Sequence, residues 1–262
     1  MTRAHRISAL VKCHNEELFL RQCVESVRRL VDEIVIVDNK STDASREIAA
    51  QLGVKVVDFA GEPGGSISLA DYYNWCNDTT TGDYIVKWDA DVVALDGLGE
   101  ALNRLTGGPE AVCCSLYNLR CDHRHLWSRH PLCGPEPYIY RRTCRYASTP
   151  SGIERLQLTG RPQRHPDPVG LHMNLKSDER YFLRNVMCRY RAAGGVSLGL
   201  EAWAKQAYAD YQRRVQVEGL RALDELVPYE GPYPSALDSY LADPKWFVEY
   251  VDGKPSRRVE RW

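Results

Sequence analysis

The chain has 262 residues, of which 44% are hydrophobic and 26% are charged, and its formal net charge is −1 at pH 7. This composition predicts a globular protein with one sizeable core and excludes a largely disordered chain. The near-neutral charge also argues against a general attraction to nucleic acid or to anionic lipid.

The sequence predicts no integral membrane segment, because no apolar run approaches the ~18 residues that a membrane-spanning helix needs. The first apolar run follows basic residues, but polar residues from His14 to Glu17 come directly after it. With no small-residue cleavage site there, we interpret this run as a strand and not as a signal peptide. The nine cysteines, an odd number, are typical of reduced thiols. We therefore expect a cytoplasmic protein.

Strands and helices alternate along the first part of the chain. The predicted strands are Ile7 to Cys13, Glu33 to Val37, Val54 to Asp58, Tyr84 to Trp88 and Ala111 to Leu119. The predicted helices are Glu16 to Val31, Ala44 to Leu52, Ser68 to Asp78 and Leu95 to Leu105. This alternation predicts an α/β fold with right-handed crossovers between parallel strands.

The later part of the chain has weaker patterns. From Arg120 to His172 the periodicity weakens, and Arg, His and Pro are frequent, which is typical of functional or mobile loops. Helical spacing returns from Leu198 to Val227, and the tail after Pro228 has no clear period.

Polar residues follow three of the predicted strands, where an α/β sheet usually binds its ligands. They are Cys13, His14, Asn15, Asp38, Asn39, Asp89 and Asp91. In an extended segment Asp89 and Asp91 point to the same side, and Ala90 leaves room between them. Two converging carboxylates suit a hard divalent cation, which would in turn hold phosphate oxygens.

Three segments of the sequence resemble family 2 glycosyltransferases. IVIVDNKSTDAS resembles the V-V-D-x-G-S-T-D-G-T segment of that family, and CHNEELFLRQCVESV resembles its K-N-E-E-x-x-L-x-x-C-L-x-S segment. Asn74 lies fifteen positions before Asp89, the spacing of a bacterial branch in which R-N opens the helix before D-x-D. Three segments in the right order are much more specific than any one alone.

The resemblance implies a GT-A type α/β fold, in which helices flank a Rossmann-like mixed, mainly parallel sheet. To this we add the C-terminal helical extension that the spacing predicts. Residues 1–119 would form the nucleotide-sugar-binding half of the domain and residues 120–197 its acceptor-side half. Residues 198–262 would form the helical extension and the tail.

The resemblance also implies a metal-dependent transfer of a sugar from a UDP-sugar donor to a hydroxyl acceptor, with inversion. The cofactor would be Mn²⁺ or Mg²⁺, held by Asp89, Asp91 and His172, and Asp38 would contact the uridine. The implied donor-binding residues are Cys13, His14, Asn15, Glu16, Asp38, Asn39, Asn74, Asp89, Ala90 and Lys176.

In related inverting enzymes, a carboxylate in a loop beyond D-x-D removes the acceptor proton, often within G-x-x-H-E-x-L. Ser151 to Leu156 resemble that segment, so Glu154 is the predicted base. Its rivals are Asp167, Asp178 and Glu179. Lys176 or Arg180 would be the cation near the phosphates. Two positions depart from the family: Tyr73 stands where an arginine is common, and Lys40 replaces a glycine.

Other hypotheses are open. Cys121, His123, His125, His130, Cys133 and Cys144 suggest a structural zinc, but their spacing is irregular for zinc, and we prefer reduced thiols near a binding loop. The Arg-rich half could bind a nucleic-acid acceptor, although arginines more often form a solvated face. A nucleotidyltransferase or a dehydrogenase would need a glycine-rich loop that CHNEE lacks. The main alternative is a catalytically inactive GT-A-like protein that binds a nucleotide sugar or a partner.

Overall fold

The computed structural model describes residues 4–61, 63, 67–149, 154–175 and 226–260. Within these ranges the strands form one 10-stranded mixed sheet and two 2-stranded sheets.

The helices are α1 (Leu20–Val27), α2 (Ser45–Gln51), α3 (Leu69–Asp78), α4 (Asp96–Asn103) and α5 (Asp238–Ala242). The strands of the first half are β1 (Ile7–Cys13), β2 (Glu33–Asp38), β3 (Lys55–Asp58), β4 (Tyr84–Asp89), β5 (Val92–Ala94) and β6 (Ala111–Arg120). The later strands are β7 (Asp122–Trp127), β8 (Leu132–Arg141), β9 (Arg145–Ser148), β10 (Glu154–Gln157), β11 (Gln163–His172), β12 (Leu226–Pro228), β13 (Trp246–Val251) and β14 (Lys254–Glu260). Single 3₁₀ turns follow α4 and precede α5.

The first half of the chain forms the parallel part of the large sheet. β1 lies between β2 and β4 and is parallel to both, and β3 continues the sheet beyond β2. All residues of β2 after Glu33 are buried, because a parallel strand is covered on both faces and therefore has a continuous apolar run. The predicted α/β class is confirmed.

Helix α1 packs on this sheet through Leu20, Cys23, Val24 and Val27. It begins four residues later than the spacing predicts. Asn15 has a left-handed backbone (φ 56°), and the amide of Glu16 donates to the hydroxyl of Ser45 instead of entering a helix. The predicted start at Glu16 was therefore wrong, and residues 14–19 form a loop above the sheet.

The second half adds antiparallel pairs. β8 is antiparallel to both β4 and β6, while β11 is parallel to β6 and antiparallel to β5. The structure thus has five strands, β7 to β11, where the sequence predicted irregular loops. The exposed first part of β8 explains this error, because its Pro135, Glu136 and Pro137 show no apolar alternation.

The described part of the C-terminal region, residues 226–260, is mainly strand. β12 pairs with β7, and β13 and β14 form a separate hairpin. Residues 198–225 of the helix predicted over Leu198 to Val227 lie outside the described residues. Its last two residues belong to β12, and the α-helix within residues 226–260 is the short α5.

The side chains considered for a zinc site do not converge. Cys121 packs with Val248, Cys144 lies near Glu110, and Cys133 is 3.6 Å from a nitrogen of His172. His125 instead has two partners: its Nδ1 donates to Asp122 over 2.6 Å, and its Nε2 contacts the hydroxyl of Tyr250. The eight cysteines of the described ranges form no disulfide with one another. No helix among the described residues is long and apolar enough to cross a membrane.

Asp122 joins the C-terminal hairpin to the large sheet. Its carboxylate is fully buried and accepts hydrogen bonds from the amides of Arg124 and Val248, both at 2.9 Å, and from His125. Burial opposes the charged form, but these hydrogen bonds outweigh it and lower the pKa of Asp122. A carboxylate whose pKa falls on folding stabilises the fold above its unfolded pKa of about 4 and loses that contribution in acid.

Replacing Asp122 with asparagine should lower the free energy of unfolding by about 2 kcal/mol at pH 7, because a charged acceptor of several hydrogen bonds is lost. The difference from the wild type should shrink as the pH falls below about 4. Urea titrations at both pH values measure it. Asp243→Asn, an exposed change in the same region, is the matched control. Equal stability of the two variants at pH 7 would contradict this role for Asp122.

Candidate functional site

A cleft of about 340 Å³ lies at the carboxyl ends of β1, β2 and β4. The predicted site residues that line it are Cys13, His14, Glu16, Asn39, Asp89, Ala90, Asp91 and His172. Lys12, Pro63, Leu69, Tyr72 and Tyr73 also line it, although the sequence did not single them out as site residues.

The most buried polar pair of the cleft is Asp91 with His172. Asp91 lies in the turn between β4 and β5, and His172 ends β11, opposite Val92 of β5. This pairing brings Nε2 of His172 within 3.4 Å of Oδ2 of Asp91, with both side chains almost fully buried. Burial opposes the imidazolium, but the Asp91 carboxylate outweighs it and raises the pKa of His172 to about 10.

Asp89 forms a second charged pair, with Lys12. The ammonium of Lys12 lies 2.9 Å from Oδ1 of Asp89 and donates a 2.9 Å hydrogen bond to the hydroxyl of Tyr73. Burial opposes ionisation of Asp89, but the Lys12 charge outweighs it and lowers the pKa of Asp89 to about 2. Asp89 is therefore ionised at neutral pH, and each aspartate of the D-x-D segment lies beside its own basic side chain.

The donor set of this wall fits a divalent cation. Two ligand atoms about 2.2 Å from one ion, at right angles, are about 3 Å apart, which is close to the separation of the Asp91 oxygen and the His172 nitrogen. An ion between them would take the place of the imidazolium proton. Carboxylate oxygens with one imidazole suit Mn²⁺ better than Mg²⁺, which prefers oxygen ligands alone.

Asp38 lies beside this wall, at the end of β2, but it does not line the cleft. Its side chain is 2% exposed. Oδ2 accepts hydrogen bonds from the amide of Ser41 and from Arg46, whereas Oδ1 has no hydrogen-bond partner among the described residues. Arg46 also pairs with Asp58, a contact that no local pattern predicts because Arg46 lies on α2 and Asp58 ends β3. Oδ1 of Asp38 can therefore still accept a hydrogen bond.

Two of the predicted donor-binding residues hold the protein together instead of facing the cleft. Oδ1 of Asn15 accepts a 2.7 Å hydrogen bond from the amide of Thr42, which fixes the loop after β1 to the loop after β2. The amide group of Asn74 exchanges two hydrogen bonds with the backbone of Tyr146, at 2.8 and 2.9 Å, and so ties α3 to β9. Their side-chain groups are occupied by backbone partners, because short polar side chains bond to nearby main-chain groups whenever these are within reach.

Cys13 and His14 line the cleft without being suited to nucleophilic chemistry there. Burial raises the pKa of Cys13 to about 12, and the carboxylates of Asp38 and Glu16 add to this effect, although hydrogen bonds to two serines oppose it. The Cys13 thiol therefore keeps its proton at neutral pH. Nδ1 of His14 lies 2.6 Å from the carbonyl oxygen of Asn39, which orients the ring across the two loops.

The predicted base is not in the described cleft. Glu154 begins β10, opposite Ser148 of β9, and is half-buried. Its carboxylate lies near Tyr146, whose ring stacks against Tyr73 at 4.9 Å between centroids. The rival Asp167 is exposed on β11, several residues before His172. The other rivals, Asp178 and Glu179, and the predicted cations Lys176 and Arg180 lie outside the described residues.

With this geometry, the chain can be compared with known proteins. The profile of the family described as Glycosyl transferase family 2 matches residues 8–158. The chain belongs to glycosyl transferase family 2. An uncharacterized glycosyltransferase of Rickettsia felis is 33% identical over 91 residues, which is 33% of this chain and 29% of that protein. A low-salt glycan biosynthesis hexosyltransferase of Haloferax volcanii is 32% identical over 111 residues, 40% of this chain and 26% of that protein. Each match spans less than a third of the relative's own length.

Solved structures of other proteins show weaker likeness. The S. aureus TarS 1–349 structure, in complex with UDP-GlcNAc, has a TM-score of 0.46 and 15% identity, covering 80% of this chain and 73% of that one. A Mycobacterium tuberculosis glucosyl-3-phosphoglycerate synthase, in complex with Mn²⁺, UDP-Glc and phosphoglyceric acid, has a TM-score of 0.36 and 23% identity. That match covers 42% of this chain and 44% of the other. Family membership rests on the profile match and not on these likenesses.

One departure from the family motif should lower the free energy of unfolding by a measurable amount. Lys40 occupies the position of the motif glycine and has a φ of 57°, in the left-handed region. Side chains with a Cβ are disfavoured there, whereas glycine is not. The loop after β2 thus retains the backbone conformation for which the motif glycine is suited, although it carries a lysine.

Lys40→Gly should therefore be more stable than Lys40→Ala by about 1 kcal/mol, because both changes remove the lysine side chain and only alanine keeps the unfavourable Cβ. Because both variants lack the lysine charge, the effect of losing that charge drops out of the difference between them. Urea unfolding of both proteins measures the difference. An alanine variant as stable as the glycine variant would show that the left-handed conformation is not held in solution.

Proposed function

We propose that this family 2 protein transfers a sugar from a UDP-linked donor to a hydroxyl acceptor, with inversion and with a divalent cation. The observation that carries the proposal is the wall formed by Asp89, Asp91 and His172 in a cleft at the carboxyl ends of parallel strands. Family membership supports glycosyl transfer as the reaction class.

The donor would lie along the ends of β2, β1 and β4. The free oxygen of Asp38 is an acceptor of the kind that the imide N–H of uracil needs. The ammonium of Lys12 adds positive charge at the opposite end, which would favour the diphosphate. Asp38 itself does not line the cleft, but the next residue, Asn39, does.

The cation would be held by Asp91 and His172, with the carboxylate of Asp89 beside them. When bound, it would supply positive charge to the diphosphate as this group leaves. Asp91 and His172 would have a further role. Because both are buried, they would exclude water from one side of the glycosidic bond that breaks.

The acceptor hydroxyl needs a base, and we keep Glu154 for this role. Its support is the resemblance of its segment together with its position near Tyr146, which stacks on a residue of the cleft wall. The alternative function, nucleotide-sugar or partner binding without transfer, has one observation in its favour. The carboxylates among the described lining residues are Glu16, Asp89 and Asp91, and Glu154 does not join them. The hydroxyl acceptor and the cytoplasmic location stay predictions from the sequence.

Asp91→Asn should remove the Mn²⁺-dependent part of donor binding, because it replaces a carboxylate ligand by a neutral amide of the same shape. The measurement is the thermal shift with UDP-glucose, UDP-N-acetylglucosamine or GDP-mannose, each with and without Mn²⁺. A donor at 100 times its Kd stabilises by about 2.7 kcal/mol. Glu25→Gln, an exposed change on α1, should keep the wild-type shift. A full Mn²⁺-dependent shift in Asp91→Asn would refute the metal assignment, and wild-type protein unmoved by every nucleotide sugar would refute the donor.

The Glu154→Gln variant distinguishes a transferase from a protein that binds a nucleotide sugar without transferring it. If Glu154 is the base, kcat should fall about 10²- to 10⁴-fold while the donor Kd stays within about twofold. Turnover is followed by release of UDP and donor binding by calorimetry. The same assays on Asp178→Asn and Glu179→Gln test the rivals. Equal losses in kcat and in donor affinity would point to a structural role for Glu154, and wild-type protein that binds donor without any turnover would favour the inactive alternative.

A further inference from the structure

A second group of metal-ligating side chains lies at the other end of β11 from His172. Glu100 comes from α4, and His165 and Asp167 come from the amino-terminal part of β11. One ligand atom from each of the three lies within 4.8 Å of the other two. The group is separate from the cleft, because His172 reaches the cleft only at the carboxyl end of the same strand.

The buried member of this group is His165. Its side chain is 5% exposed, yet neither ring nitrogen has a hydrogen-bond partner among the described residues. Leaving a buried polar group unsatisfied costs about 1–3 kcal/mol, so such a group in a folded protein calls for a partner such as an ion. One ring nitrogen of His165 lies within 4.8 Å of a carboxylate oxygen of Glu100 and of Asp167, and both carboxylates are exposed and able to turn toward it.

The local packing holds the two elements close enough for a shared ligand. A Cβ at Gly97 would come within 2.8 Å of the carbonyl oxygen of Pro168, so only glycine lets α4 approach β11 this closely. Among the charged groups that act on His165, the carboxylates of Glu100 and Asp167 outnumber the guanidinium of Arg104, which follows α4. The net charge therefore favours a bound cation.

We propose that Glu100, His165 and Asp167 bind one zinc ion that joins α4 to β11. One imidazole and two carboxylates form a three-ligand set that suits Zn²⁺, with water in the fourth position. Zinc binds such a mixed nitrogen and oxygen set more tightly than Mn²⁺ or Mg²⁺ does. In a tetrahedral site the ligand atoms are about 3.4 Å apart, so the two exposed carboxylates need only small rotations. Because only the short β5 separates α4 from the D-x-D turn, the ion would also fix the segment behind the cleft.

The test is zinc uptake by the intact protein. Wild type, Glu100→Gln, Asp167→Asn and the matched control Glu25→Gln are equilibrated with zinc, passed over a desalting column, and measured for zinc per chain by mass spectrometry. Asp91→Asn is included to remove binding in the cleft. Both altered ligands are exposed, so these variants are expected to fold, and circular dichroism checks that they do.

We expect Glu100→Gln and Asp167→Asn to bind one zinc ion fewer per chain than Glu25→Gln, with affinity at this site reduced at least about tenfold. Asp91→Asn should retain that ion. Zinc should also raise the Tm of Glu25→Gln more than that of either ligand variant. Equal zinc content and equal Tm shifts in Glu100→Gln, Asp167→Asn and Glu25→Gln would overturn the site, as would loss of all bound zinc in Asp91→Asn.

Discussion

The register of β1 against its two parallel neighbours determines the whole cleft. Cys13 lies opposite Asp38 of β2, and Lys12 lies opposite Asp89 of β4. A slip of one residue would turn every side chain of β1 to the other face of the sheet and would separate Lys12 from Asp89. The register is secure because β1 is buried along its length, so any slip would also expose apolar residues.

Electrostatic pairing explains how acidic residues persist at this sheet edge without a ligand. Asp89 and Asp91 are close enough to repel each other, and each is balanced by a protein cation. Two like charges in a poorly solvated site would otherwise drive one carboxylate to take up a proton. The same cations lie where a bound metal ion or diphosphate would meet these carboxylates.

The sequence predicted the parallel half of the fold well, because strands covered on both faces have continuous apolar runs and their polar ends mark the site. The resemblance named Asp91 and His172 as two ligands of one ion, and the structure places their side chains 3.4 Å apart. The sequence missed Lys12, whose partner Tyr73 is 61 positions away, and it assigned Asn74 to the donor when its partner Tyr146 lies 72 positions away. Contacts of this range leave no local pattern. The antiparallel strands β7 to β11 were not predicted for another reason. Their exposed segments lack a clean alternation of apolar and polar residues.

The strand pairing also limits which fragments of this protein could fold on their own. Residues 1–119 contain β4 and β5, whose partners β8 and β11 come from the following residues. A fragment ending near position 119 would carry unpaired backbone edges in the middle of its sheet, which is the arrangement most prone to aggregation. It would also lack His172. The two halves proposed from the sequence share one sheet, so chimaeras with related proteins would have to exchange the strands from β1 to β11 together.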